Sequence, residues 1–420
     1  MPYGEGKLTI QLEEAIIMES RKVEPLKDLE TEVLRRLENP IESPSLRKLL
    51  EKAEKVLLIV PDHTRAFPAK EVLPILLDYI RKVKPDVSLK ILVATGLHLP
   101  LTDDQLREML GKEVVENYEV TSHDASDEDQ VIDLGKKTSY GTPVQVNKHV
   151  MNSDLVIATG LIEPHFFAGY SGGRKSLLPG VAGKDSILRN HGFRMVGDPK
   201  ARAGVLEGNP IHEDMLEFMK LTKLDFILNV TINKEKKVTG VFSGDPVKAH
   251  LAGVKALESY VKVQFEEEAD LVITTNGGYP LDRDVYQAVK GMDTAASVVK
   301  EGGVIIIAAE CRDGLGGHEE FLKLVKGSKD ADEILERIRR LEPVIDQWEA
   351  QVLARDLKKA RIILVSDKIS ADIARSLLLE PAKSLEEALE IAYQTLGRKR
   401  DLKTIVIPEG PYVVPIKEVR

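Results

Sequence analysis

Short apolar runs that each end in a polar, reactive tip recur along this chain, and they constrain its fold more than any other feature. KVLLIV (55–60), SLKILVATG (88–96), SDLVIATG (153–160), ADLVITTNGG (269–278) and VIIIAAE (304–310) share this form. Runs of this length, rich in Val and Ile and bounded by turn residues, read as strands buried on both faces. Helix-period patterns over 69–83, 103–110 and 284–300 lie between them. Strand, polar loop and helix in repetition predict an α/β chain built on largely parallel sheets. A strand over 7–12 and a charged helix over 26–37 are expected before the first repeat. ARIILVSD, SLEEALEIAYQTL and KTIVIPEG extend the pattern to the end of the chain.

With 420 residues there is room for two cores. The chain turns acidic around 264–270 and then restarts on a strand. We therefore expect domains over residues 1–265 and 266–420, each on its own parallel βαβ sheet, with the active site in the cleft between them. Open parallel sheets bind ligands beyond the carboxyl ends of their strands. That rule directs attention to Asp62, His63, Thr64 and Arg65, to Thr95, Gly96 and His98, to Glu163 and His165, and to Asn276 and Gly277.

Composition removes several classes of function. Net charge is −9 with both signs interleaved, and no basic stripe carries interleaved aromatics. Nucleic acid is not an expected partner. No apolar run reaches the roughly 18–20 residues of a membrane helix, so no membrane is expected. MPYGEGKLTIQLEE lacks the basic and apolar regions of a secretory signal. The single cysteine, Cys311, rules out an internal disulfide and a multi-cysteine metal site. A cytoplasmic location is the expectation.

The third strand leads into HFFAGYSGGRKSLLPG, His165 to Gly180. The segment approaches a phosphate-binding GxxxxGK(S/T) loop, but Arg174 stands where the last glycine should be. Pro179 follows four residues after Lys175 and forbids the long helix that such a loop needs. Glycines making a tight surface turn with Arg174 and Lys175 solvated is one reading. The other is a loop that cradles a phosphate while Lys175, its pKa lowered by neighbouring Arg174, acts as nucleophile or covalent anchor.

His63, His98, His165 and His191 all lie in or beside these loops. His98 and His165 come from different loops and could serve one substrate as opposed acid/bases, which inversion of a stereocentre requires, or could be two metal ligands. Asp62 and Arg65 are an N-cap with its ion pair, or an orienting carboxylate with an anion-binding cation. In DRDVYQAVKGMD, Gln287 and Lys290 share a helix face beside Tyr286. They are a solvated face unless that helix points into the cleft.

Taken together, DHTR (62–65), TGLH (95–98), HFFAGYSGGRKSLLPG, RNHG (189–192) and YQAVKG (286–291) resemble the nickel-pincer-nucleotide lactate racemases over nearly the whole chain. The resemblance implies a nickel pyridinium-3,5-bisthiocarboxylic acid mononucleotide, covalently attached, with Lys175 as its tether and His191 as the nickel ligand. It implies that Tyr170, Ser171, Gly172, Gly173 and Arg174 border the cofactor, and that His98 and His165 are the paired acid/bases. Asp62 and Arg65 would orient the catalytic histidine and bind substrate or cofactor. Tyr286, Gln287, Lys290 and Trp348 would bind substrate. The implied reaction is racemisation of a small 2-hydroxy acid, lactate first, by reversible hydride transfer, with cofactor-synthesis enzymes as maturation partners. Another 2-hydroxy acid, sugar acids included, is the alternative within that chemistry. A non-catalytic nucleotide or nickel carrier is the alternative outside it, and would have no use for His98 and His165. A nicotinamide dehydrogenase would need a GxGxxG after its first strand, and none is present.

Overall fold

In a computed structural model that describes residues 1–397 and 401–418, the chain forms two six-stranded sheets. The first runs Val238–Gly244, Phe226–Ile232, Leu155–Leu161, Lys55–Pro61, Ser88–Ala94, Glu119–Ser122 in spatial order. All its pairs are parallel except the one between Phe226–Ile232 and the edge strand Val238–Gly244. The second runs Glu380–Ala382, Ala360–Val365, Val299–Ala308, Ala269–Thr275, Thr404–Ile407, Ile16–Ile17, and every pair is parallel. This is the expected α/β architecture.

The apolar runs are buried on both faces because helices cover both. Val56, Leu58 and Val60 face a core shared with Leu73, Leu76 and Leu77 of helix Ala69–Val83. Leu57 and Ile59, one residue out of phase, face another core with Val146, Leu177 and Phe218. That second core continues without a break to Val272, Ile305, Val352 and Leu353 of the second sheet and its helices. The two halves are therefore packed on each other through apolar side chains. Helix Asp103–Leu110 starts where expected, with a reciprocal Thr102–Gln105 capping box at its N-terminus.

The chain ends depart from the expected boundary. Ile16–Ile17 pairs with Thr404–Ile407, so the first residues belong with the second sheet. Val414–Lys417 in turn lies beside Lys262–Phe265. The expected strand over 7–12 is reduced to a Gly6–Lys7 pair with Pro2–Tyr3. Leu8, Ile10 and Leu12 instead pack on the outer face of the second sheet. Alternating apolar residues report one-sided burial, and burial does not require a hydrogen-bonded partner strand.

Candidate active site

The carboxyl ends of Lys55–Pro61, Ser88–Ala94 and Leu155–Leu161 open onto a single cleft whose other wall comes from the second half of the chain. The first wall carries Asp62, Arg65, His98, His165, Lys175 and His191, and the second carries Tyr286, Gln287, Lys290 and Trp348.

Lys175 sits on a single 3-10 turn, Gly173–Ser176, and the long helix forbidden by Pro179 is indeed missing there. Gly172 makes the turn possible. Its φ is +79°, and a Cβ would stand 2.8 Å from Asn229 Oδ1. The Lys175 ammonium is buried with no hydrogen-bond partner. The Phe167 ring centroid lies 5.9 Å from Nζ. Burial, then the charges of Arg65, Arg174 and Lys290, push its pKa well below that of an ordinary lysine. A neutral amine is a nucleophile, so this side chain is suited to acylation.

Arg174 does not face the cleft. Its guanidinium is buried and donates to the carbonyls of Ala168 at 2.8 Å and Gly172 at 3.2 Å, with His250 Nε2 at 3.2 Å. Burial lowers its pKa to about 9. Arg174 therefore holds the loop from behind while still repelling a proton from Lys175. Tyr170 also points away from the cleft, and its hydroxyl donates to Glu258 at 2.9 Å. Ser171 Oγ donates to Leu161 O at 2.6 Å, and Gly173 N donates to Asn229 Oδ1 at 2.8 Å. Of the five residues expected to border a cofactor, only Ser171 and Gly172 line the cleft. Loop glycines and polar residues cannot be assigned a direction from sequence, because that direction is set by the packing behind the loop.

His191 ends helix Lys184–Asn190, and its Nδ1 is buried without a partner. The ring is held edge-on by Phe167 and Trp348, each 5.1 Å away between centroids. Burial, then the Lys175 charge, keeps the imidazole neutral far below its usual pKa. A neutral, fixed imidazole with a free nitrogen is the form that binds a borderline divalent transition metal.

The two other expected histidines are held in complementary ways. His98 donates from Nδ1 to Asp62 Oδ2 at 2.6 Å, and in the neutral ring this leaves a lone pair on Nε2. Asp62 is itself fixed by Thr64, whose Oγ1 and N–H donate to Oδ1 at 2.6 and 3.2 Å. Burial raises the Asp62 pKa, but the His98 hydrogen bond and charge, then the Thr64 bond and Arg65, outweigh it. The carboxyl is held below its usual value. His165 instead accepts at Nδ1 from Ala168 N at 3.3 Å, so its neutral ring carries the proton on Nε2. Burial, then Lys175, Arg65, Lys290 and His191, hold its pKa well below normal. One histidine thus offers a lone pair and the other an N–H.

On the second wall, Lys290 Nζ donates to Gln287 Oε1 at 2.5 Å, so the expected shared helix face does point into the cleft. Arg65 lies 3.6 Å from Glu163. Tyr286 donates to Asp346 at 3.0 Å and accepts from Trp348 Nε1 at 3.2 Å. Sequence reasoning missed three ionisable cleft residues: Glu349, His318 and Asp346. Glu349 is buried with Oε1 unpaired, and burial pushes its pKa well up while Lys290 opposes the shift. Among the histidines weighed from sequence, His63 is exposed and does not line the cleft. An adjacent residue on a loop can face the opposite way, and DHTR offers no pattern that separates Asp62 from His63. No helix among the described residues is long and apolar enough to cross a membrane.

Comparison with known proteins gives the family and the fold. A family model described as the lactate racemase N-terminal domain matches residues 3–204, and one described as the lactate racemase C-terminal domain matches residues 264–414. The chain is 43% identical to a lactate racemase of Thermoanaerobacterium thermosaccharolyticum, with 99% of this chain and 98% of that protein covered. It is 40% identical to a lactate racemase of Lactiplantibacillus plantarum, with the same coverage. The structure of the lactate racemase apoprotein from T. thermosaccharolyticum superposes with a TM-score of 0.93 over 99% of each chain, at 42% identity. A Thermotoga maritima protein at 17% identity has the same fold, with a TM-score of 0.69 over 93% of this chain and 98% of that one. Both halves of the chain and the sheet architecture that joins them are accounted for, and the protein belongs to the lactate racemase family of isomerases.

Proposed function

We propose that this protein interconverts the enantiomers of lactate using a nickel-pincer nucleotide covalently tethered at Lys175, with His191 as a nickel ligand. The observation that carries the reading is that the two residues are both orphans in one cleft. Lys175 Nζ and His191 Nδ1 are both buried, both belong to groups whose pKa burial pushes well down, and both lack a partner. Leaving a buried polar atom unsatisfied costs about 1–3 kcal/mol, and such atoms in a native cleft call for a missing group. An acylating carboxyl-derived arm suits the first and a borderline divalent metal such as nickel suits the second.

When bound, the cofactor supplies a reversible hydride acceptor. The rest follows from the chain's own residues. A lactate Cα–H is too weakly acidic for an imidazole to remove as a proton. Taking the hydroxyl proton instead makes the carbon a hydride donor. The Nε2 lone pair of His98, set by Asp62, can accept that proton. Reprotonation from the opposite side needs His165 as the imidazolium, whose Nε2–H can return a proton to the oxygen of the planar keto acid after its other face has turned and leave the neutral ring. With His165 entering as the imidazolium, one turnover leaves His98 protonated and His165 neutral, which is the state needed to run the opposite direction. Lys290 and Arg65 would hold the carboxylate, and the closed wall of Phe166, Phe167 and Trp348 would keep water from the keto acid. A carrier would not need a histidine oriented by a buried aspartate. We place the protein in the cytoplasm with cofactor-synthesis enzymes as its maturation partners.

The test is chiral analysis of D- and L-lactate incubated with protein produced alongside those enzymes. Nickel-loaded protein that leaves both enantiomers unchanged would overturn lactate as substrate. A panel of other chiral 2-hydroxy acids would then be the next measurement. Lys290→Ala is expected to raise KM for lactate by about tenfold or more, since a charge-assisted hydrogen bond contributes about 1.5–3 kcal/mol. Initial rates against substrate concentration check it.

A further inference from the structure

The cleft contains a fourth histidine, which the proposed reaction leaves unused, and the fold goes to some length to hold it. His318 ends the segment CRDGLGGH, residues 311–318. This loop is laid against helix Val285–Ala296 by bonds from Val285 N to Gly314 O at 3.1 Å and from Tyr286 N to Leu315 O at 2.9 Å. At Gly317, φ is +66°, and a Cβ would stand 2.7 Å from Tyr286 Cδ2 and 3.0 Å from Asp346 Oδ2. Only glycine lets the backbone lie this close to both groups.

Asp346 organises the unit. Its side chain is 4% exposed and accepts three bonds: from Tyr286 Oη at 3.0 Å, from His318 N at 2.6 Å and from His318 Nδ1 at 2.9 Å. Its backbone has φ of +63°, the left-handed region that a residue with a side chain seldom adopts. Such a conformation persists where the surroundings over-determine it. The result repeats the Asp62–His98 arrangement on the second wall of the cleft: a buried carboxylate on Nδ1, with Nε2 left free.

The likeness to His98 does not extend to the job. Both proton-transfer roles in the proposed reaction are filled, while the substrate carboxylate is under-served. A carboxylate offers about four acceptor sites. Arg65 is drawn to Glu163 at 3.6 Å, and Lys290 already donates one of its protons to Gln287. With a buried carboxylate at Nδ1 and an anion at Nε2, both nitrogens of His318 can donate. We propose that His318 is a further substrate-contacting residue, donating from Nε2 to the carboxylate of the bound 2-hydroxy acid, with Asp346 as its positioning residue. This rests on the reading of the cleft as a 2-hydroxy acid site. The carboxylate keeps its charge when the alcohol becomes a ketone. The contact is therefore equally strong in ground and transition states and bears on KM rather than kcat.

The decisive experiment uses nickel-loaded protein and two substitutions that split the imidazole. His318→Asn keeps a donor near the Nδ1 position and so keeps the Asp346 bond. His318→Gln keeps a donor near the Nε2 position and gives up Asp346. If Nε2 binds substrate, His318→Asn raises KM about tenfold with kcat nearly unchanged, and His318→Gln recovers part of the loss. Calorimetric titration with pyruvate, which retains the carboxylate and needs no turnover, should weaken in parallel. This second readout is independent of whether lactate is racemised, so the two readings can fail separately. A wild-type KM and pyruvate affinity in His318→Asn would overturn the proposal. So would a fall in kcat larger than the rise in KM, because His318 would then act on the reaction instead of on the carboxylate.

Discussion

Lys175→Ala, produced alongside the cofactor-synthesis enzymes, is expected to purify with no stoichiometric nickel and with racemisation at the background rate. The argument is the isolation of the amine. Lys175 Nζ has no hydrogen bond, and no carboxylate is bonded to it as an alternative partner. A structural lysine this deep would normally be paired. Metal analysis of the purified protein checks the outcome, and full nickel occupancy in Lys175→Ala would remove the tether. Misfolding is controlled by Lys175→Met. The folded pKa of Lys175 is pushed well below 10.5, so the unfolded chain binds a proton that the folded chain does not. Stability then rises with pH between the folded pKa and the unfolded value, and at neutral pH the buried amine costs stability. The cofactor-free Lys175→Met protein should accordingly melt a few degrees above the cofactor-free wild type. A lower melting temperature would mean that the amine has a favourable role in the apoprotein.

The second large effect is expected at Asp62. Thr64 donates to Asp62 Oδ1 from both its backbone N–H and its hydroxyl. In Asp62→Asn the amide oxygen must stay on that side, which turns the NH2 toward His98. His98 then accepts at Nδ1 and carries its proton on Nε2, so the lone pair needed to receive the hydroxyl proton is gone. General acid–base catalysis contributes about 10²–10⁴-fold, and racemisation should fall by a factor in that range, with nickel content unchanged. His98→Ala should fall as far. Rates in both directions, measured on metal-matched samples, decide it. Wild-type rates in Asp62→Asn would exclude the tautomer argument, and wild-type rates in His98→Ala would exclude the base itself.

These two residues also mark how much could be read without coordinates. Asp62 follows directly on an apolar run whose periodicity is local, and the rule that ligands gather at the carboxyl ends of parallel strands identifies its neighbourhood. Lys175 is conspicuous because Pro179 contradicts the phosphate loop that the glycines suggest. His318 and Asp346 carry no such signal. They are separated by 28 residues and meet through a glycine loop, and no period in the sequence relates them.

The sequence by itself determined the elements and their chemistry: buried strands from short apolar runs, helices from their period, and a reactive residue at nearly every strand tip. Those features depend on neighbours a few positions away. Tertiary structure alone decided which tips share a cleft and which way each loop side chain points. It turned Arg174 and Tyr170 into the packing behind the loop, left His63 in solvent, brought His318 and Glu349 to the second wall, and placed the first residues of the chain with the second sheet. The physical reason is common to all of these. A side chain's direction in a loop, and the burial that shifts its pKa, are set by what packs against it from distant parts of the chain. The pKa of Lys175 is low because burial and the charges of Arg65, Arg174 and Lys290, which come from both halves of the protein, outweigh the opposing charge of Glu163.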